Sequence, residues 1–430
     1  MSFSEHIGEQ VWRMARFSDE KGAAVIRQVS STALAQAHSW DGLAASNIAA
    51  PLCGLSVGVK ACFDVQGWVT NAGSMVLEDQ PPAVSDAPIV LALKRNGAVV
   101  TAQTNMTEFA FGALGLNPHF GTPTTPLDPL GKRIAGGSTS GGAVAVALGL
   151  VDVALGSDTS GSVRIPAAFC GVVGFKPSRR RYSDEGMIFL SPSFDVPGFI
   201  ARDVETLLRI DHALVPAEVL GTQRVDLRGR RFLIPGRFAM EYTDAAVSEC
   251  FNAALAVLES HGAHLVNVDW PELAHYGEVA VDGGIIIAEA FATHRSYLKN
   301  RAHLYDPRVG PRIASGGLVS ASTYLDAKKT LVRYATCFHE RLSNFDALLM
   351  PTVSIAPPII DELVDDYSYY KTNRLSFRLT EVANRIDAPS ISLPVNPIQP
   401  IGISLTGHSG RDRELLYLSL AIQAALKTTI

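Results

Sequence analysis

From Gly141 to Phe169 the chain reads GGAVAVALGL, then VDVALGS, then DTSG and SVRIPAAF, with hardly a residue spent on linkers. The first segment predicts a helix over 141–150, the second a strand over 151–157, and a further helix begins near Val163. Unlike elements joined by such short connections predict a mostly parallel or mixed sheet covered by helices. Upstream, LSVGVKACFDV alternates. Leu55, Val57, Val59, Ala61, Phe63 and Val65 share one face, with Lys60 on the other, so a strand is expected over 55–65. Residues 85–97 read as a helix opened by Ser85 or Asp86 and closed by Gly97, with a strand over 98–103 behind it. Two short helices are expected within residues 1–50, and a mainly helical stretch over 205–345. DALLMPT, SISLPVN and IGISLTG read as late strands, and residues 413–427 as a closing amphipathic helix. No Pro/Ser/Gly-rich or charge-run linker divides the chain. The fold class expected is therefore α/β, one large domain over 1–430 with a central mixed β-sheet covered on both faces by helices.

Composition narrows the function classes. The 430 residues carry a formal charge of −5, which argues against the clustered positive face of a nucleic-acid binder. Five scattered cysteines without a CxxC pair read as reduced core residues and not as disulfides or zinc ligands. The first twenty residues carry charge throughout and lack an apolar core, so no secretory signal is expected. No run approaches the roughly 18 apolar residues of a membrane span. A cytoplasmic globular protein is the expectation.

Two loops invite a chemical reading, IAGGSTSGG (134–142) and GSDTSGS (156–162). Each sets small and hydroxyl residues at a helix start, where backbone N–H groups are left unpaired at a positive end. Phosphate binding, an acyl-transfer site with a serine nucleophile and oxyanion donors, and plain helix capping all fit that pattern. Phosphate is the weakest, because neither loop is GxxxxGK[ST] or a strand-following GxGxxG. A serine nucleophile needs a proton acceptor. GLSVG around Ser56 matches GxSxG, but it sits inside a strand instead of at a strand-to-helix elbow. The eleven histidines show no HExxH and no shared spacing with an acid; His119 and His408 read as structural. Lys60 remains. It is the only charged residue between Gly42 and Phe63, and burial would lower its pKa enough to make it a base. An ion pair with Asp64 on the same strand face competes with that reading.

At this point the residues resemble a family. GGSTSGGAVAVALGLVDVALGSDTSGSVRIPAAFCGVVGFKPS (136–178) is similar to the signature block of the amidase signature family, whose members include fatty-acid amide hydrolase, malonamidase, allophanate hydrolase and the A subunit of Glu-tRNA(Gln) amidotransferase. GVKACFDVQG, NAGS and QTNMTEFAFG upstream, and DALLMPT, ANRIDAPSISLPV and PIGISLTG downstream, extend the likeness over nearly the whole chain. The resemblance implies the amidase signature fold, a core over about 53–205 and a variable, substrate-shaping region over about 280–385. It also implies a Ser–Ser–Lys catalytic triad. Lys60 matches the base, Ser138 the relay serine with its unusual cis peptide bond, and Ser162, 24 residues later, the nucleophile. Backbone N–H groups of Thr159, Ser160, Gly161 and Ser162 match the oxyanion donors, while Asp158 and Arg164 match residues that brace their loop. The chain departs from the commoner pattern at Ala61, Ala135, Thr139, Ser140 and Ser160, and Ser140 is a rival for the relay.

What the resemblance implies is an amidohydrolase of carbon–nitrogen bonds other than peptide bonds. It would act on a small-molecule amide through an acyl-enzyme, with no metal or organic cofactor and neither nucleic acid nor membrane as partner. A homodimer is compatible with it. Two alternatives stand beside it: a glutamine-hydrolysing A subunit of a tRNA-dependent amidotransferase, needing a partner protein and an ammonia path, and a non-catalytic relative that only binds. His294–Arg308 and Asp365–Leu379 mix aromatic and basic residues, compatible with an aromatic or acidic part in the substrate, but read first as exposed helices laced with charge. Arg179–Arg181 reads first as an exposed loop.

Overall fold

In a computed structural model, the structure describes residues 2–21, 23–28, 31–48, 50–216, 225–396 and 398–429. Eleven strands appear in these segments: β1 (Val25–Gln28), β2 (Ser56–Lys60), β3 (Val99–Thr104), β4 (Val153–Asp158), β5 (Val173–Lys176), β6 (Val196–Ala201), β7 (Arg231–Ile234), β8 (His264–Asn267), β9 (Ala347–Pro351), β10 (Ser390–Pro394) and β11 (Gly402–Thr406). They form one sheet in the order β1-β3-β2-β4-β6-β5-β10-β11-β9-β7-β8. The sheet is mixed, as expected. β2 runs parallel to both β3 and β4, whereas β4–β6, β6–β5, β5–β10, β10–β11 and β11–β9 are antiparallel.

Helices cover both faces. Along β4, Val153 and Leu155 enter the largest apolar cluster on one side, while Ala154 packs on the other against Ala143–Val146 of the helix Ser140–Ala147. Because both faces are covered, β2, β3 and β4 are buried at every position. No helix among the described residues is long and apolar enough to cross a membrane.

Several expected boundaries shift for identifiable reasons. The strand expected over 55–65 ends at Lys60, where a turn from Phe63 N–H to Lys60 C=O (3.0 Å) interrupts it. Phe63 and Val65 stay buried after the turn, which is why the apolar alternation outruns the strand. The helix expected from Ser85 or Asp86 begins at Pro88. Proline pre-sets the first helical φ and needs no capping donor, and Asp86 is engaged elsewhere, by Lys94 Nζ (2.8 Å) and Gln66 N (2.9 Å). β1 falls between the two N-terminal helices, Phe3–Lys21 and Ser31–Ala45, and β7 and β8 fall within the stretch read as mainly helical. At four residues each, these strands are too short to show a period against flanking helices.

Arg181 is not part of an exposed loop. Its side chain is buried against Asp211, with Nε–Oδ1 at 2.6 Å and Nη2–Oδ2 at 2.7 Å. Asp211 also accepts from Tyr182 Oη (2.7 Å) and from fully buried Arg413 Nε (2.8 Å). One carboxylate thereby joins the loop after β5, the helix Val204–Leu214 and the closing helix Asp412–Thr429. Removing one partner of a buried ion pair strands the rest, so Asp211→Ala is expected to destabilise the protein by about 3–5 kcal/mol. The urea unfolding midpoint checks this, and a shift below about 1 kcal/mol would refute it.

Candidate active site

Lys60 is the last residue of β2 and is fully buried. Its Nζ lies 2.7 Å from Ser138 Oγ, 2.8 Å from Ser157 Oγ and 3.3 Å from the Ser157 carbonyl. The Asp64 ion pair does not form; Asp64 accepts from Thr70 Oγ1 instead (2.5 Å). Burial disfavours the ammonium and holds the Lys60 pKa below the ordinary lysine value, against the opposing pull of Cys62, Asp195 and Asp158.

Two loops meet this amine. Ser138 follows a cis peptide bond from Gly137, and its carbonyl accepts from Thr107 N (3.1 Å). Close approach of that loop to β4 depends on Gly156, where a β-carbon would stand 2.7 Å from Thr139 Cγ2. Ser140, the rival relay, is buried with no hydrogen-bond partner for its hydroxyl among the described residues. Lys60 reaches Ser138 and not Ser140.

Ser162 stands at the end of the second loop, tied to the first by a bond from Thr139 N to the Ser162 carbonyl (3.1 Å). Its side chain makes no hydrogen bond among the described residues, so the Lys60–Ser138 contact is formed and a Ser138–Ser162 side-chain bond is not. Of the four expected anion donors, Gly161 N–H is already occupied by Asp158 Oδ1 (2.8 Å), whereas the N–H groups of Ser160 and Ser162 have no acceptor among the described residues. Gly161 itself has φ +131°, and a β-carbon there would collide with Thr380, so only glycine lets the loop turn at this point.

The loop is braced by buried charge. Asp158 receives Arg164 Nη2 (3.0 Å) and Nε (3.1 Å), Asn384 Nδ2 (2.9 Å) and Val163 N (3.1 Å). Burial alone would raise its pKa, but Arg164 outweighs it and the carboxyl is held at about 2. Thr159 donates through Oγ1 to Asp195 (2.5 Å), whose burial pushes its pKa up to about 6. Arg385 donates to the Thr159 carbonyl (3.1 Å) and to Ser160 Oγ (2.8 Å), and pairs with Glu381 (3.1 Å).

The residues not assigned from the sequence are Ser157, Asp195, Thr380, Glu381, Asn384 and Arg385. Ser157 was visible inside GSDTSGS, and Asn384 and Arg385 inside ANRIDAPS. The others carry no local motif.

Thr159, Ser160 and Ser162 line a cavity of about 300 Å³. Its apolar wall comes from Phe111, Ile165, Leu190, Ile287 and Phe377, and no histidine among the described residues lines it. Among the described residues, no three His, Cys, Asp or Glu side chains come together as a metal site would need. His408 instead meets the Phe345 carbonyl (2.9 Å).

The family model described as Amidase matches residues 9–416. The 2-amino-5-chloromuconic acid deaminase of Comamonas testosteroni is 32% identical over 408 residues, covering 90% of this chain and 88% of that protein. The A subunit of the Glutamyl-tRNA(Gln) amidotransferase of Methanospirillum hungatei is 31% identical over 409 residues, covering 87% and 93% respectively. A crystal structure of an amidase superposes with a TM-score of 0.89 at 30% identity, over 99% of this chain and 96% of its own.

Asp158 gives the site a stability signature. Its folded pKa of about 2 lies below the unfolded value of roughly 3.9. The stabilisation is therefore fully present above about pH 4 and is lost as pH falls toward 2. Urea midpoints measured between pH 5 and 2 should fall more steeply for the native protein than for Asp158→Asn. Parallel slopes would contradict this account.

Proposed function

The chain belongs to the Amidase family and is a hydrolase of carbon–nitrogen bonds other than peptide bonds; from that premise we propose a free-standing cytoplasmic amidase in which Lys60 is the base, Ser138 the relay and Ser162 the nucleophile. The observation that carries this reading is the fully buried Lys60 amine 2.7 Å from Ser138 Oγ, in a site whose next loop presents Ser162 to a cavity.

Neutral Lys60 accepts the Ser138 proton as Ser138 takes the proton of Ser162. Ser162 Oγ then bonds to the amide carbon. Among the described residues its hydroxyl has no hydrogen bond to break, so rotation toward Ser138 sacrifices none. Negative charge developing on the carbonyl oxygen meets the N–H groups of Thr159, Ser160 and Ser162. Gly161 contributes by shape, since its own N–H is held by Asp158. Collapse breaks the C–N bond, and the proton returns through Ser138 to the departing nitrogen. Water then repeats the sequence on the ester, releasing the acid and restoring Ser162. Each oxyanion donor is worth roughly 10²–10³ in turnover. Asp158 and Arg164 act by holding the loop.

The relatives carry names for removing or transferring nitrogen groups, a deaminase, an amidase and part of an amidotransferase, which supports an amide-type substrate. More than half of the lining residues, Ile287 and Phe377 among them, fall between 280 and 385, which supports that region as the part that shapes the substrate. The 31% identity to the amidotransferase chain favours one second reading, glutamine hydrolysis for a partner protein. A panel of aliphatic amides, aryl amides, ureas and glutamine, followed by ammonia or amine release, separates the two.

Lys60→Ala should lower turnover on the best substrate by at least about 100-fold and slow fluorophosphonate labelling of Ser162 to a similar degree. A variant keeping most of its rate would remove Lys60 as the base. In the native enzyme kcat/KM should rise with pH through a Lys60 pKa below the ordinary lysine value, because only the neutral amine accepts a proton. A profile falling across that limb would contradict the assignment.

A further inference from the structure

Asp195, the residue before β6, is buried, and among the described residues no cation forms an ion pair with it. Its carboxylate is met instead by three donors: Thr159 Oγ1 on Oδ1 (2.5 Å), and the Leu190 and Ser191 amides on Oδ2 (2.7 and 3.0 Å). Bonds to an ionised acceptor are roughly twice as strong as neutral ones, so the three make a firm clasp. Both of its ends are cavity wall, since Thr159 and Leu190 line the cavity. The Leu190–Asp195 segment is anchored on its other side too. Glu289 of the helix Ile285–Arg301 accepts from Ser191 Oγ (2.6 Å), from Ser193 N (3.0 Å) and from Ser193 Oγ. It also accepts from Tyr324 Oη (2.6 Å) of the helix Ala321–Leu342. Asp195 therefore grips Thr159 from a segment that is itself fixed.

What this grip controls follows from peptide geometry. In a planar trans peptide the C=O and the N–H of the next residue point in opposite directions. The plane of the Thr159–Ser160 peptide therefore sets where the Ser160 N–H is aimed. Two handles act on that plane: Arg385 Nη1 donates to the Thr159 carbonyl (3.1 Å), and Asp195 holds the Thr159 side chain. Threonine passes the second grip to the backbone because its branched Cβ is stiff about χ1. The Ser160 N–H has no acceptor of its own among the described residues. The Ser160 carbonyl, held by Thr380 Oγ1 (2.6 Å), belongs to the following peptide and cannot substitute for either handle.

We propose that Asp195 is a positioning residue for the reaction: through the Thr159 hydroxyl it keeps the Ser160 N–H aimed at the oxyanion. The inference rests on the serine reaction proposed above, in which that N–H is a donor. Because the oxyanion forms only on the way to the intermediate, losing the grip lowers kcat and leaves KM nearly unchanged.

The test uses the full-length protein and the best substrate of the amide panel. Thr159→Val keeps the branched shape and removes the hydroxyl; Asp195→Asn keeps the size and replaces one acceptor oxygen by a donor. Each should lower kcat by roughly 10- to 100-fold, part of what a whole oxyanion donor is worth, with KM within about threefold of native. Thr159→Ser, which keeps the hydroxyl, should restore most of the lost rate. The double variant Thr159→Val/Asp195→Asn should be no slower than Asp195→Asn alone, because both changes break the same bond. An Asp195 that served stability alone would lower the urea midpoint and leave kcat of the folded protein near native.

The inference is overturned if Thr159→Val keeps most of its kcat, if the loss sits in KM, if Thr159→Ser is as slow as Thr159→Val, or if the double variant multiplies the two losses. Should Asp195→Asn fail to fold, the two Thr159 variants decide alone. Failure of the underlying reaction reads differently. Native protein that takes no fluorophosphonate on Ser162, or a Ser162→Ala variant that still turns over, sinks the serine mechanism and this inference with it, whatever the Thr159 variants do.

Discussion

A primary amine with no exposure to water, within hydrogen-bond reach of two serine hydroxyls and a carbonyl but, among the described residues, of no carboxylate, has little reason to hold an extra proton. Everything around Lys60 preserves that condition. Helices on both faces of the sheet keep water from β2, and the neighbouring Ala61 adds no countercharge. The acids that do lie nearby are engaged elsewhere, Asp158 by Arg164 and Asp195 by Thr159 and two backbone N–H groups. Had one of them paired with Lys60, the ammonium would have been stabilised and the lysine pKa held up.

The same segregation of charge shapes the loop that carries Ser162. Arg164 and Asn384 spend their hydrogen bonds on Asp158, and Arg385 spends its own on the Thr159 carbonyl and the Ser160 hydroxyl. These contacts take up acceptors and side chains while the N–H groups of Ser160 and Ser162 stay unclaimed among the described residues. A loop stiffened through its carbonyls and open through its amides is the arrangement that the proposed oxyanion site needs. Gly161 marks the limit of this arrangement, because its amide is itself a brace.

How far these features could be read from sequence depends on how local their causes are. The α/β class, the buried lysine and the hydroxyl-rich helix starts follow from patterns a few residues long, and so they were legible. β1, β7 and β8 were not, because four residues cannot show a period and their pairing partners are distant in the chain. The end of β2 was overrun because Phe63 and Val65 remain buried after the turn. At the site, Lys60, Ser138 and Ser162 could be picked out by residue type and loop, with the family resemblance choosing among readings the residues left open. Asp195, Thr380 and Glu381 could not. Each matters only because folding brings it to the 158–162 loop or to a residue already bound there.

Arg312 shows the same limit from the other side. In the sequence it is one of many basic residues in a segment that reads as surface helix, and nothing within three positions distinguishes it from Arg308. The difference arises from neighbours: Arg308 finds Asp366 and two carbonyls, whereas Arg312 finds two aromatic faces and one carbonyl. Which cations are left without a counter-ion among the described residues is set by the fold and not by the local sequence.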